Sequence, residues 1–179
     1  MTSPIFVVDA DIFILIQRAH LEERIAGLGR LPIVVTAIVW DELVGPAADQ
    51  RRVVALKKML EAIAGEPTDF EPETEEALAF AQLQLPPPTE GVGEHSVIAH
   101  AITHPATVAV LNDKRAVHRA VEELAGRVVS VHGFLAGLHR AEKLDVKLAR
   151  EISDEYCRRY TPARPPLWWS SLYSLAHLS

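Results

Sequence analysis

Cysteine is almost absent from this sequence: Cys157 stands alone among 179 residues. No intramolecular disulfide can form, and a thiolate zinc site would lack its usual set of ligands. Net positive charge is lacking too. A formal charge of -6 argues against a protein that coats duplex DNA through many phosphate contacts. It leaves room for an enzyme that gathers carboxylates around metal ions and steers its substrate with a small basic patch. There is no internal repeat, no low-complexity tract and no long uninterrupted apolar run. The apolar opening from Ile5 to Ile16 is broken by Asp9 and Asp11 and has no basic leader before it, so neither a signal peptide nor a membrane span is expected. Together with the lone cysteine this predicts a cytoplasmic protein. With 49% hydrophobic and 23% charged residues, the composition is that of a globular chain with one ordinary domain and a substantial core.

What is present begins with short β-branched runs separated by helical periodicity. Ile5-Phe6-Val7-Val8, ending at Asp9, suits a strand buried on both faces of a parallel sheet. Ile33-Val34-Val35 reads as a second strand. Thr36 follows as the N-cap of a helix through Trp40, Glu42 and Leu43, which Gly45-Pro46 stops. Val53 to Ala64 and Glu73 to Leu83 have helical periodicity, and Pro86-Pro87-Pro88 through Gly93 is the clearest break. A helix is expected from Glu94 to His104, a third strand over Thr107 to Leu111, a helix from Asp113 to Leu124 and a fourth strand over Val128 to Val131. Strands alternating with helices indicate right-handed βαβ units, hence an α/β fold with a central parallel sheet between helical layers.

In such open sheets, ligands sit beyond the carboxyl ends of the strands. Asp9 follows the first strand and Asp113 the third, so both fall on that edge. Glu42 lies on the helix leaving the second strand, and Glu94 opens a helix behind Gly91-Val92-Gly93, where glycine permits close approach. Four carboxylates can converge there. Like charges ~4 Å apart repel by roughly 4 kcal/mol at an effective dielectric near 20, a cost that a divalent cation removes. Hard oxygen donors point to Mg²⁺ or Mn²⁺, and the chemistry that uses them is phosphodiester hydrolysis. Each residue also has a plainer reading. Asp9 and Asp113 serve equally well as helix N-caps when taken singly, Glu94 can complement a helix dipole, and Glu42 beside Asp41 can be a solvated helix face.

Taken together, these residues resemble the PIN-domain family of ribonucleases along nearly the whole chain. Val7-Val8-Asp9-Ala10-Asp11-Ile12-Phe13 resembles the family's opening, with Asp11 where Asn is usual. Val34 to Leu43 is similar to the segment that supplies the family's Glu, here Glu42. Gly91-Val92-Gly93-Glu94 resembles a subgroup with Glu at the third acidic position. Val110-Leu111-Asn112-Asp113-Lys114-Arg115 is similar to its strand-acid-acid-basic element, with Asn112 replacing the first acid, and Gly133 to Leu144 resembles its following helix. The resemblance implies a three-layer α/β/α fold, Mg²⁺ or Mn²⁺ held by Asp9, Glu42, Glu94 and Asp113, and endoribonuclease activity, often as the toxin of a toxin-antitoxin pair. Asp11 and Asn112 would stand just behind those ligands and alter how strongly the metal is held. The expected partners are a single-stranded RNA substrate, an antitoxin or other protein, and a second copy of the chain, with no membrane. The expected organisation is a PIN-like domain over residues 1–160 and a tail over residues 161–179.

Arg115, His118 and Arg119 project on one face of the helix after Asp113, placed to meet a phosphate or simply solvated. Arg51-Arg52 and Lys57-Lys58 read as ordinary surface. His100 and His104 have i,i+4 spacing but no evident third ligand, so a structural role is expected. In the tail, Leu167 to Leu175 carries Trp168 and Trp169 behind a proline-rich stretch, to cover the protein's own core or to anchor a partner. Two other functions compete. Asp9-Ala10-Asp11 resembles the first motif of haloacid-dehalogenase-type phosphatases, but Phe13 stands where Thr or Val belongs. The other is a catalytically inactive PIN-fold module that binds nucleic acid or protein.

Overall fold

The computed structural model describes residues 4–46, 48, 50–85 and 91–160. The triple proline and the tail with Trp168 and Trp169 lie outside the described residues, and with them the expected tail over 161–179. The chain is α/β: a four-stranded, all-parallel sheet forms the middle of three layers, with helices on its faces. The expected fold class is therefore borne out. Strands β1 (Ile5–Val8), β2 (Ile33–Val34), β3 (Thr107–Val110) and β4 (Val128–Val129) lie in the order β2-β1-β3-β4. From β1 the chain pairs outward to β2 on one side and to β3 on the other. The carboxyl ends of β1 and β3 thus flank a topological switch point, where open parallel sheets carry their ligand sites.

The helices follow from local chemistry. Helix α1 (Ala10–Arg18) starts directly after β1, and α2 (Glu22–Ala26) follows it. Thr36 caps α3 (Ala37–Val44) by accepting the amide of Val39, and Gly45 ends it. Helix α4 (Gln50–Ile63) leads to a loop in which Thr68 bridges Thr36 beyond the end of β2. Thr74 caps α5 (Glu75–Leu83) through the amide of Ala77. Helix α6 (Val92–Thr103) begins at Gly91, before the expected Glu94, which places Gly93 and Glu94 inside its first turn. Asp113 caps α7 (Lys114–Glu123). The expected strand over Val128 to Val131 ends at Val129, because Ser130 caps α8 (Val131–Arg140) instead. Helix α9 (Val146–Tyr160), amphipathic but without a motif, completes the described chain.

Val7, Val8, Ile12, Ile98, Leu111 and Leu135 are among the fully buried residues that join the sheet to its helices. Phe6 meets Phe134 edge to face at 5.2 Å. Helix α8 comes this close to β1 because Gly137 has no side chain: a Cβ there would lie 2.5 Å from Phe6 Cζ. Among the described residues, no helix is long and apolar enough to cross a membrane.

Candidate metal centre

Asp9 is the innermost acid. Its backbone amide donates to the carbonyl of Val110 at 3.2 Å, which extends the β1–β3 ladder by one step and locks the residue at the carboxyl edge of the sheet. Although Asp9 occupies the N-cap position of α1, its side chain makes no capping bond. Asp113 behaves oppositely: its Oδ1 accepts the amides of Arg115 at 2.8 Å and Ala116 at 3.1 Å. Of two aspartates that read equally well as caps, one caps and the other is held back.

Asp9 is 4% exposed, and burial raises its carboxyl pKa to about 8; the charges of Glu94, Asp11 and Glu42 push in the same direction, while the amide of Ala10 works against them. Glu42 as a residue is exposed, yet its carboxylate lies beside Gly93. Partial loss of water raises its pKa, with Glu94 and Asp11 adding to the effect. Asp9, Asp11, Glu42 and Glu94 therefore share one electrostatic neighbourhood. Asp113 is exposed and is not among the charges acting on Asp9. Asn112 donates to Asp11 Oδ2 at 3.2 Å, tying the loop after β3 to the first turn of α1.

Gly93 leaves a gap between two of the acids. A Cβ there would lie 2.8 Å from Glu42 Oε2 and 3.5 Å from Asp9 Oδ1, so the missing side chain is what opens space between the carboxylates. Glu94 folds its carboxylate back beside Gly91. The oxygens of Asp9, Glu42 and Glu94 are not all within 4.8 Å of one another.

A buried hydrogen-bond chain holds the two helices that carry these acids. Thr36 Oγ1 and Ser96 Oγ are 2.6 Å apart, and Ser96 donates to the carbonyl of Gly93 at 2.7 Å. Because Ser96 spends its proton on Gly93, Thr36 donates to Ser96 while accepting from Val39. This fixes the N-terminus of α3, the helix of Glu42, against the first turn of α6, the helix of Glu94. Thr36 is readable from the sequence as a cap, whereas Ser96 carries no motif. On α7, Arg115 is exposed and Arg119 half-buried, while His118 faces Glu122 at 3.5 Å.

A second cluster lies at the other end of α6. Glu76, His100 and His104 place one donor atom each so that all lie within 4.8 Å of one another, a group that could hold a metal ion. The expected purely structural role for the two histidines rested on a missing third ligand. Glu76 on α5, 24 residues before His100, stands where a third ligand could be. Burial holds the His100 imidazole below the usual histidine range, against the opposing pull of Glu76.

Compared with protein-family models, curated proteins and solved structures, the chain matches none.

Proposed function

We propose that the protein is a metal-dependent endoribonuclease of PIN type, with Asp9, Glu42 and Glu94 as the ligands of Mg²⁺ or Mn²⁺. The observation that carries this reading is Asp9: a buried carboxyl raised to about 8 by burial and by three neighbouring acids, at the switch point of a parallel sheet. Perturbed acids in a cleft mark functional sites because evolution rarely tolerates such repulsion without a counter-charge. The donor set is all oxygen, which suits hard divalent cations. The missing side chain at Gly93 also leaves the Asp9 and Glu42 carboxylates uncrowded on that side, as ligands of a shared ion require. A cation held by Asp9, Glu42 and Glu94 would supply Lewis acidity for a water nucleophile and for the charge developing on a scissile phosphate.

The chain's own groups do the rest. Asp9 fixes the ligand geometry through its ladder bond to Val110. Thr36 and Ser96 keep Glu42 and Glu94 in register. Asp11, steadied by Asn112, adds negative potential that favours cation uptake. Asp113 uses Oδ1 for its cap, so its part in this reading is to present α7, whose Arg115 and Arg119 meet the RNA phosphate backbone. A cognate inhibitory protein would make the enzyme a toxin of a toxin-antitoxin pair.

The test is cleavage of a labelled single-stranded RNA. Wild type cuts in Mn²⁺ or Mg²⁺ and not in EDTA, and Asp9→Asn abolishes cutting while keeping its circular dichroism. Equal cleavage in EDTA refutes the proposal. A second reading, a PIN-fold module that binds RNA without cutting it, is favoured by the spread of the acid oxygens and the folded-back Glu94. Metal-independent RNA binding without cleavage would select it.

A further inference from the structure

We infer that Glu76, His100 and His104 form a second metal site, for a transition-metal dication of the zinc class, that staples α5 to the C-terminal end of α6. The donor atoms lie within 4.8 Å of one another, and tetrahedral ligands with bonds of 2.0–2.1 Å stand roughly 3.3 Å apart. Small side-chain adjustments close that difference. His100 Nδ1 and Glu76 Oε1 are only 2.6 Å apart, so this pair must open slightly as an ion replaces the shared proton.

The two histidines share one helix face, as i,i+4 spacing dictates. Their rings stack with centroids 4.0 Å apart and planes 12° off parallel, so the exposed His104 ring turns on binding to bring its in-plane lone pair onto the ion. His104 Nδ1 lies 3.0 Å from the backbone carbonyl of His100. A carbonyl only accepts, so Nδ1 carries the proton and donates it. In a neutral imidazole, Nε2 is then left as the lone-pair donor. Fixing the tautomer through a backbone carbonyl is how proteins orient metal-binding histidines.

Position adds to this. His100 is 3% exposed, with its side chain and that of Glu76 sheltered between α5 and α6, while His104 is exposed at the helix end. An ion can therefore enter from solvent past His104. Packing of the two helices is independently fixed by Gln84, whose amide donates to His95 Nδ1 at 3.0 Å.

Two imidazoles and one carboxylate are a borderline-soft donor set. They select Zn²⁺, Co²⁺ or Ni²⁺ over Mg²⁺, which demands oxygen ligands and retains its water. Three protein ligands leave the fourth tetrahedral position to water, so the ion exchanges rather than being entombed. Glu94 and His100 are six residues apart on one helix, about 9 Å along its axis at 1.5 Å per residue. One helix would thus bear sites of opposite hardness at its two ends. The inference stands whether or not the acidic site is catalytic.

The test uses the full chain, stripped with EDTA and dialysed. Co²⁺ should bind with one equivalent giving a visible d–d band that Zn²⁺ bleaches, and saturating Zn²⁺ should raise Tm by about 5 °C. His104→Ala, at an exposed helix end with little risk to folding, should lose both the band and the shift. Glu76→Gln keeps a hydrogen-bonding partner for His100 and should weaken Co²⁺ binding about 10-fold or more. Asp9→Asn should keep the Co²⁺ band, and His104→Ala should remove that band from Asp9→Asn as it does from wild type. No band in wild type, or the same band and Zn²⁺ shift in His104→Ala and Glu76→Gln, overturns the site.

Discussion

Substituting Asp9 by Asn should change the pH dependence of stability before it changes anything else about the fold. In the metal-free native state the Asp9 carboxyl is raised from 3.8 to about 8. Between those values the native state keeps a proton that the unfolded chain has released. Stability is therefore fully present below 3.8 and is lost as pH rises toward about 8. His132 runs the other way. Burial lowers it from 6.5 to about 3, so its contribution is present above 6.5 and lost as pH falls, and His100 is shifted in the same direction. Acid and histidine slopes oppose each other below pH 6.5 and separate above it. Tyr156 and Cys157, both raised, titrate above the window.

From pH 6.5 to 8, then, the slope belongs to Asp9. One and a half decades at about 1.4 kcal/mol each give a loss of about 2 kcal/mol, or about 4–8 °C in Tm for a chain of this size. Thermal unfolding in EDTA at several pH values measures it. Asp9→Asn should be flat over this window and more stable than wild type at pH 8. Saturating Mn²⁺ should abolish the wild-type slope, since the ion favours the ionised acids, and do little for the variant. Equal slopes in the two proteins would show that Asp9 is not the strained acid.

Three further outcomes are expected. Gly93→Ala should keep the fold, because the Cβ meets the flexible end of Glu42 2.8 Å away, but it should weaken Mn²⁺ binding by about 10-fold in calorimetric titration; unchanged affinity would remove the gap from the argument. Asp113→Asn should be nearly neutral in Tm and Asp113→Ala should cost about 1 kcal/mol, the behaviour of the N-cap it forms; a large drop in the Mn²⁺ shift of Asp113→Asn would instead make it a ligand. Ser96→Ala should cost about 1–3 kcal/mol in urea denaturation, because it strands the buried Thr36 hydroxyl proton and removes the second bond to the Gly93 carbonyl, and Ser96→Cys should restore little of it.

The elements that could be read from the sequence were those with local causes. The β-branched run to Val8, the Thr36 cap and the Gly45 stop need no knowledge of distant residues, and each stands where expected. The start of α6 was misread because glycines suggest a loop, whereas Gly91 is the N-cap and Gly93 is helical, small to make room for Glu42. The fourth strand was read two residues too long because β-propensity at Val131 lost to the capping hydroxyl of Ser130. At the site, sequence alone could not decide which aspartate caps; hydrogen bonding decides it for Asp113 and against Asp9. Glu76 and Ser96 were invisible for a simpler reason: each acts through a partner on another helix, 24 and 60 positions away, and no spacing rule spans that.

The sheet ends in very little strand. At its two margins lie β2 and β4, two residues each, and beyond β2 the next step is occupied by the Thr36–Thr68 bridge. A margin that short offers few open amides and carbonyls to an incoming chain. Among the described residues, strand addition finds little template and an extended peptide little rail to dock along. A partner that met the described residues would face mostly helices and side chains, and could bind and leave without remodelling the sheet that holds Asp9 in place.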